Sequence, residues 1–264
     1  MKFSIITANY NGEQFLEATL QSILQQKTEG LELELIVVDG KSTDGSLQIL
    51  EKYADRITHL LVEPDTGPAN AINKGFALAS GDVLAWLNAD DLYYPGALAR
   101  VKQVFEQQEG VALCFGRCPI IDAKGAEIRT FITRFKEYFF PVSSQFTFQC
   151  INYISQPALF FNREAMLRAG KLREDMVAAW DYDFMLRLWH SGRGTVIPGG
   201  PIAAFRWHEQ SISGQNYAIQ FKEELDAVIR AIGKWKLQIL LHYCVRWGIV
   251  GAYNCMSLGR QIRK

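Results

Sequence analysis

The sequence predicts an α/β fold: a mostly parallel central sheet with helices on both faces, and a helical tail at the end of the chain. Three observations predict it. Apolar, strand-like runs alternate with segments of helical periodicity through the first half. Polar clusters stand where those strands end: Thr7 to Asn11, Asp39 to Asp44, and Glu63-Pro64-Asp65-Thr66-Gly67 followed by Asn70 and Asn73-Lys74-Gly75. Finally, two adjacent carboxylates, Asp90-Asp91, come straight after the apolar run Val83-Leu84-Ala85-Trp86-Leu87 and two small linking residues.

The elements follow in order. Phe3–Ala8 reads as a strand and Asn9-Tyr10-Asn11-Gly12 as the turn behind it. Leu16, Leu20, Ile23 and Leu24 then recur at helical spacing. Leu33–Val38 reads as a continuous apolar strand ending at Asp39-Gly40. Ser42-Thr43-Asp44 can cap the next helix, expected to bury Leu47, Leu50 and Tyr53. His59–Val62 is a short strand, and Ala69, Ile72, Phe76 and Ala79 share a helix face. After Val83–Leu87, Pro95 opens a helix with Leu98, Val101 and Phe105 inward, and Val111–Phe115 is the next strand. Repeated strand–helix–strand units imply a parallel sheet covered on both sides. The second half is less regular. Phe131–Phe161 is dense in aromatics, Asp181–Ser191 is a helix, Thr195–Ile197 and Ile202–Trp207 are strands, and Asn216–Ile232 is amphipathic. With no repeat or linker, residues 1–232 are expected to form one domain of two halves, 1–115 and 116–232, with 233–264 as a helical tail.

Composition narrows the function. The chain has 264 residues, 48% hydrophobic and 21% charged, with a formal net charge of zero. It therefore carries no sequence-wide electrostatic case for nucleic acid. Its five cysteines are scattered through apolar runs and read as free thiols rather than a disulfide framework. Cys114 and Cys118 have the spacing of a metal pair, but no second Cys/His pair follows. Only Met1-Lys2 precede the first strand, which reads as no signal peptide and points to the cytoplasm.

Two anions side by side repel, so the Asp90-Asp91 pair persists most easily around a cation or a proton. Oxygen ligands on a short loop suit Mn²⁺ or Mg²⁺, ions that usually meet phosphates there. An exposed turn or a helix cap is the plain alternative. Polar strand ends in succession along a parallel sheet describe a crevice at its carboxyl edge. Singly, each cluster reads as helix capping, and for Ser42–Asp44 capping is explanation enough. The turn Asn9-Tyr10-Asn11-Gly12 lacks the glycine pattern of a dinucleotide site, and no phosphate-cradling Gly-x-x-x-x-Gly-Lys-Ser/Thr is present.

The run Ser4-Ile5-Ile6-Thr7-Ala8-Asn9-Tyr10-Asn11, then Ile36-Val37-Val38-Asp39-Gly40-Lys41-Ser42-Thr43-Asp44-Gly45-Ser46, resembles family 2 glycosyltransferases with the GT-A (nucleotide-diphospho-sugar transferase) fold. So do Glu63-Pro64-Asp65-Thr66-Gly67, Ala71-Ile72-Asn73-Lys74-Gly75, and Ser80-Gly81-Asp82 leading to Leu87-Asn88-Ala89-Asp90-Asp91. The look is that of bacterial enzymes of surface-polysaccharide biosynthesis. The resemblance implies a metal-dependent inverting transfer from a nucleotide sugar, with UDP as the leading nucleotide, to a hydroxyl of a glycan or lipid-linked acceptor. It implies that Asp91 binds Mn²⁺ or Mg²⁺ and that Asp90 lies near the ribose or donor sugar. It places Asp39 at the base, with Thr7 and Asn9 completing the nucleoside wall and Asn11 and Lys74 also on the donor side. Asp181 matches the catalytic base. Arg206-Trp207-His208 and Ser211 match a segment closing over the diphosphate, with Arg206 on phosphate and His208 on the metal. Gln156-Pro157-Ala158-Leu159-Phe160 matches a segment beside the acceptor. Asn88 stands where the family often has an acid, and Trp180 where it often has Glu. Those two departures keep open a catalytically weak nucleotide-sugar-binding or partner protein with the same fold.

From Trp235 to Tyr253 the tail is apolar for long stretches, interrupted by His242 and Arg246, with Asn254 just beyond. An Arg near the middle of a spanning helix is costly. An interfacial helix on the inner face of the plasma membrane, a helix on a second subunit, and a helix packed on the body remain as readings.

Overall fold

The structure, a computed structural model, describes residues 1–26, 29–208, 217–245 and 247–248. At the centre of the main sheet lies β1 (Lys2–Asn9), flanked by β2 (Glu32–Asp39) and β4 (Val83–Trp86), with β3 (His59–Val62) at one edge. These four strands run parallel. Beyond β4 comes β9 (Leu159–Asn162), antiparallel to both its neighbours, β4 and β6 (Val111–Phe115); β10 (Arg193–Val196) then pairs parallel with β6. The order is β10-β6-β9-β4-β1-β2-β3, so strands from both halves build one sheet.

Alternation along each strand feeds two cores. Phe3 and Ile5 of β1 and Leu35 and Val37 of β2 face α1 (Glu13–Leu24), α2 (Ser46–Lys52) and α4 (Ala97–Gln107). Ile6, Ile36 and Val38 face the other way, toward α3 (Pro68–Leu78), α7 (Arg163–Ala169), α8 (Trp180–Trp189) and α9 (Tyr217–Ile232). That second core is aromatic. Phe76, Trp86, Phe161 and Phe184 meet at ring separations of 5.3–6.0 Å. Leu47 departs from expectation: α2 buries Leu50, but Leu47 points to solvent because so short a helix offers the sheet only a narrow stripe.

β2 is not continuously apolar either. Glu34 is 3% exposed and opposes Ser4 on β1. Its carboxylate accepts from the Ser4 hydroxyl, from Ser80 N (2.8 Å) and Ser80 Oγ (2.6 Å), and pairs with Lys2 Nζ at 2.9 Å. Burial pushes its pKa up, but these donors outweigh burial and hold it at about 2. The knot ties the amino ends of β1, β2 and β4. A folded pKa below the ordinary 4.5 stabilises the fold above pH 4.5, and that contribution is lost as pH falls from 4.5 toward 2. Glu34→Gln is expected to cost about 3 kcal/mol at neutral pH by urea denaturation, with the difference from wild type shrinking below pH 4.5. A pH-independent difference would show that the charge is not what matters.

A second, small sheet links the halves. β5 (Leu92–Tyr93) pairs antiparallel with β11 (Ala203–Arg206), and β11 pairs parallel with β7 (Ile120–Ile121), which pairs with β8 (Glu127–Ile128). The aromatic stretch divides. Phe148, Tyr153, Phe160 and Phe161 are core, while Phe131 and Tyr138 around α5 (Thr130–Glu137) and Phe146 of α6 (Gln145–Cys150) are exposed.

The described part of the tail, helical over residues 237–245, packs on the body. Ile239 and Val245 join the second core, and buried His242 reaches the Gln149 carbonyl at 3.1 Å. No described helix is long and apolar enough to cross a membrane.

Candidate active site

Register places the polar clusters side by side. Asn9 is opposite Asp39, Asp39 opposite Val62, and Ile6 opposite Trp86, so β1 to β4 end along one edge. The first two loops are bound into a clasp. Asn9 Nδ2 donates to Asp39 Oδ2 (2.7 Å) and Ser42 Oγ (3.2 Å), while Ser42 donates to Asp39 through both N and Oγ at 2.7 Å. Asn11, at φ 51°, receives Thr43 N on Oδ1 (2.8 Å), and its own N donates to Ser42 Oγ (2.9 Å). Gly12 is required here, since a Cβ would collide with Asn9 Oδ1.

Three residues expected on the donor side also bind the loops to one another. Asp39 is fully buried and already accepts three hydrogen bonds, so its first task is to hold the loops together. Asn11 joins the same loops through its backbone N and Oδ1. Lys74, expected on the donor side, pairs with Glu63 at 2.8 Å and donates to the Pro64 carbonyl at 2.7 Å, clamping its own loop. Thr7 Oγ1 and Asn9 Oδ1 are buried with no hydrogen-bond partner among the described residues. Sequence reasoning passed over Tyr10, which projects 66% exposed at the end of β1 beside Gly40. Its signal was an aromatic between two Asn residues in a turn that needs none.

The acidic pair divides in a way its spacing could not tell. Asp91 is completely buried; its Oδ1 accepts Arg206 N at 2.9 Å, and its Oδ2 has no partner among the described residues. Burial first, and the neighbouring Asp90 second, push its carboxyl pKa well above the usual range. Asp90 remains partly open and lies 3.0 Å from His208 Nε2 through Oδ2. The pairing of β5 with β11 brings them together: Asp91 runs into β5, His208 follows β11, and the antiparallel contact closes a separation of 118 residues. Phe15 packs on the imidazole at 5.3 Å. Of the two acids, Asp90 is the one whose side chain is open at the surface and faces His208. A carboxylate and an imidazole are donors that suit Mn²⁺ or Mg²⁺, and Asp90 and His208 are the residues that would hold such an ion, though among the described residues no third His, Cys, Asp or Glu joins them.

Arg206, expected on phosphate, instead buckles the loops. Nε donates to the Asp90 carbonyl (2.8 Å), Nη1 to the carbonyls of Asp122 (2.9 Å) and Ala123 (3.2 Å), and its guanidinium lies 4.6 Å over Phe15. Ser211 lies outside the described residues.

Asp181 occupies the first turn of α8, half-buried. It is not the helix cap. Glu223 of α9 accepts from Val177 N, Ala178 N and Ala179 N at 2.8–2.9 Å, fastening the loop that leads into α8, while Asp181 Oδ1 accepts Tyr182 N at 2.7 Å within the first turn. Asp183 is likewise spoken for, by Arg187 (3.0 Å) and Arg230 (3.1 Å). Burial raises the Asp181 pKa to about 6, against the pull of the Tyr182 N–H and of Lys136. Trp180, the residue before Asp181, packs at 5.9 Å on Trp86, the last residue of β4, whose carbonyl accepts from Gln156 Nε2 at 2.8 Å. A cavity of about 300 Å³ lies alongside, lined by Gly67, Asn70, Glu174, Met176 and Trp180. Lys136 and Trp180 are the residues of this wall that the sequence did not single out as useful.

Comparison with known proteins agrees with the geometry. A family model described as glycosyl transferase family 2 matches residues 4–168. The chain is similar to the O-antigen biosynthesis protein RfbC of Myxococcus xanthus, 33% identical over 70% of this chain and 14% of that protein. It is also similar to the poly(ribitol-phosphate) β-N-acetylglucosaminyltransferase TarS of Staphylococcus aureus, 35% identical over 34% of this chain and 16% of that one. It thus spans a small part of the length of these relatives. Among solved structures, TarS 1–349 in complex with UDP-GlcNAc superposes with a TM-score of 0.71 at 18% identity, over 92% of this chain and 70% of that one. The mannosyltransferase PcManGT of Pyrobaculum calidifontis, in complex with GDP-Man and Mn²⁺, superposes with a TM-score of 0.63 at 18% identity, over 98% of this chain and 79% of that one. These likenesses establish the fold.

Proposed function

The chain belongs to glycosyl transferase family 2, and from that premise we propose that it transfers a sugar, with inversion, from a UDP-sugar to a hydroxyl of a glycan or lipid-linked acceptor in the building of a surface polysaccharide. The observation that carries the reading is the Asp90–His208 pair, partly open just beyond the carboxyl end of β4, with the Asn9–Asp39 clasp at the ends of the neighbouring β1 and β2. The nucleoside lies at the clasp, with the exposed ring of Tyr10 available to cover the base and Thr7 and Asn9 behind it. Asp90 and His208 would hold a divalent ion, Mn²⁺ or Mg²⁺, and the chemistry it would supply there is neutralisation of the diphosphate's charge. Asp181 takes the proton of the acceptor hydroxyl as its oxygen bonds to the anomeric carbon. The bond from that carbon to the phosphate oxygen breaks on the opposite face, and the electron pair leaves with the diphosphate. The buried, unpaired cysteines Cys114, Cys118 and Cys150 suit a reducing cytoplasm, where we place the reaction.

Calorimetry with UDP, GDP and TDP, each with and without Mn²⁺, tests the donor; UDP binding is expected to be tightest and to weaken in EDTA. Equal affinity in EDTA would remove the metal, and a preference for GDP would replace the nucleotide. Slow hydrolysis of the donor separates an enzyme from a binding protein of the same fold. The pH profile is a further check. A base with a pKa of about 6 is ionised above that pH, so kcat is expected to be level above pH 7 and to fall about tenfold per unit below pH 6. A profile flat down to pH 5 would exclude Asp181.

A further inference from the structure

The helix over residues 237–245 has two unlike faces. Its inner face is fastened to the body: Ile239 and Val245 pack on the core, His242 reaches the Gln149 carbonyl, and Gln238 Nε2 donates to Gln149 Oε1 at 3.2 Å. Its outer face carries Leu237, Leu240 and Leu241, with Trp235 before the helix and Trp247 after it, and Trp235 is 97% exposed. Residues 237, 240, 241 and 244 fall three, four and seven apart, one continuous stripe. The stripe cannot turn inward without giving up the Gln149 bonds and the core contacts.

Charge indicates what covers it. Lys234 and Lys236 border the helix start and are exposed. From Gly233 to the end, the sequence adds Arg246, Arg260, Arg263 and Lys264 and holds no Asp or Glu. In a chain of net charge zero, the stretch of sequence that holds this helix is thus purely cationic, and the described helix starts beside two exposed lysines. Such a face complements an anionic headgroup layer above acyl chains. A second copy of the chain fits less well, because a two-fold contact sets the same cations against each other.

We infer that this outer face docks on an anionic lipid bilayer, laying the 237–245 helix in the headgroup plane without crossing it. Phe146, exposed one turn from Gln149 on α6, extends the apolar surface beside the helix. Docking stands independently of the transfer reaction; taken with it, docking brings acceptors tethered to the same bilayer toward the site.

Sedimentation of the full chain with vesicles of phosphatidylglycerol and phosphatidylcholine, against phosphatidylcholine alone, tests the inference. Partition is expected onto the anionic vesicles and to weaken in high salt. Lys234→Glu with Lys236→Glu is expected to lower it more than tenfold, since each cation near such a surface contributes roughly fivefold. Leu237→Ser with Leu240→Ser is expected to abolish it while leaving the melting temperature and UDP affinity unchanged. Equal partition onto both vesicle types, no partition, or a dimer in solution that Leu240→Ser dissolves would each overturn it. UDP affinity measured on the same samples keeps failure of docking distinct from failure of the proposed donor site.

Discussion

Asp181→Asn is expected to lower kcat by about 10²–10⁴-fold while leaving UDP affinity nearly unchanged, a loss of roughly 3–5 kcal/mol of transition-state stabilisation. Inverting transfer is a single displacement, and the attacking hydroxyl has a high pKa, so a base must stand on the face opposite the diphosphate. Asp90 is engaged with His208, and Asp183 with Arg187 and Arg230. Among the described residues no ion pair engages Asp181, and burial raises its pKa to about 6, suited to accepting a proton near neutrality. Asn keeps its shape and can still accept from Tyr182 N, which Asp181 Oδ1 does at 2.7 Å. Because the Asn side chain keeps that bond, the substitution removes basicity and little else, and stability is expected to stay within about 0.5 kcal/mol. Near-normal turnover would rule Asp181 out and make Asp65 the next acid to replace.

The parallel core was legible because its pattern is local. β3 and β6 fall where apolar runs bounded by turns put them, and β1, β2 and β4 differ by a residue at their ends. What escaped was long-range. Leu159–Asn162 is apolar enough for a strand, but nothing in it says that it runs backwards between two parallel neighbours. The small sheet was hidden because two-residue strands such as Leu92–Tyr93 and Ile120–Ile121 have no period to detect. Glu34 was masked by its neighbours: one acid among leucines reads as a flaw in the run, and only pairing with Ser4 and Ser80 gives it partners.

The site divided on the same line. Its positions were readable, because polar residues at strand ends mark the carboxyl edge whatever they bond to. Their assignments were not. Lys74 and Arg206 have donors that suit phosphate, and both engage loops, through Glu63 and Pro64 and through three backbone carbonyls, while Asn11 joins two loops through its Oδ1 and backbone N. Such choices depend on which carbonyls a fold leaves nearby.

Asp90→Asn is expected to lower kcat/KM about 10³-fold and to make UDP affinity insensitive to EDTA, whereas Asp91→Asn is expected to stay metal-dependent and within about tenfold of wild type. The difference follows from burial. Asp91 is sealed beneath β11, and its Oδ1 accepts the Arg206 N–H, a bond an amide oxygen can keep. Asp90 is partly open and shares the edge of the crevice with His208. Replacing it by Asn preserves the side chain's shape and an oxygen toward the imidazole but removes the negative charge that a divalent ion requires. Asp90→Asn should therefore fail at every Mn²⁺ concentration that saturates wild type, and His208→Ala should need more Mn²⁺ for half-maximal turnover. Should Asp91→Asn instead lose metal dependence while Asp90→Asn keeps it, the buried acid would be the ligand, and the loop carrying it would have to open before the donor binds.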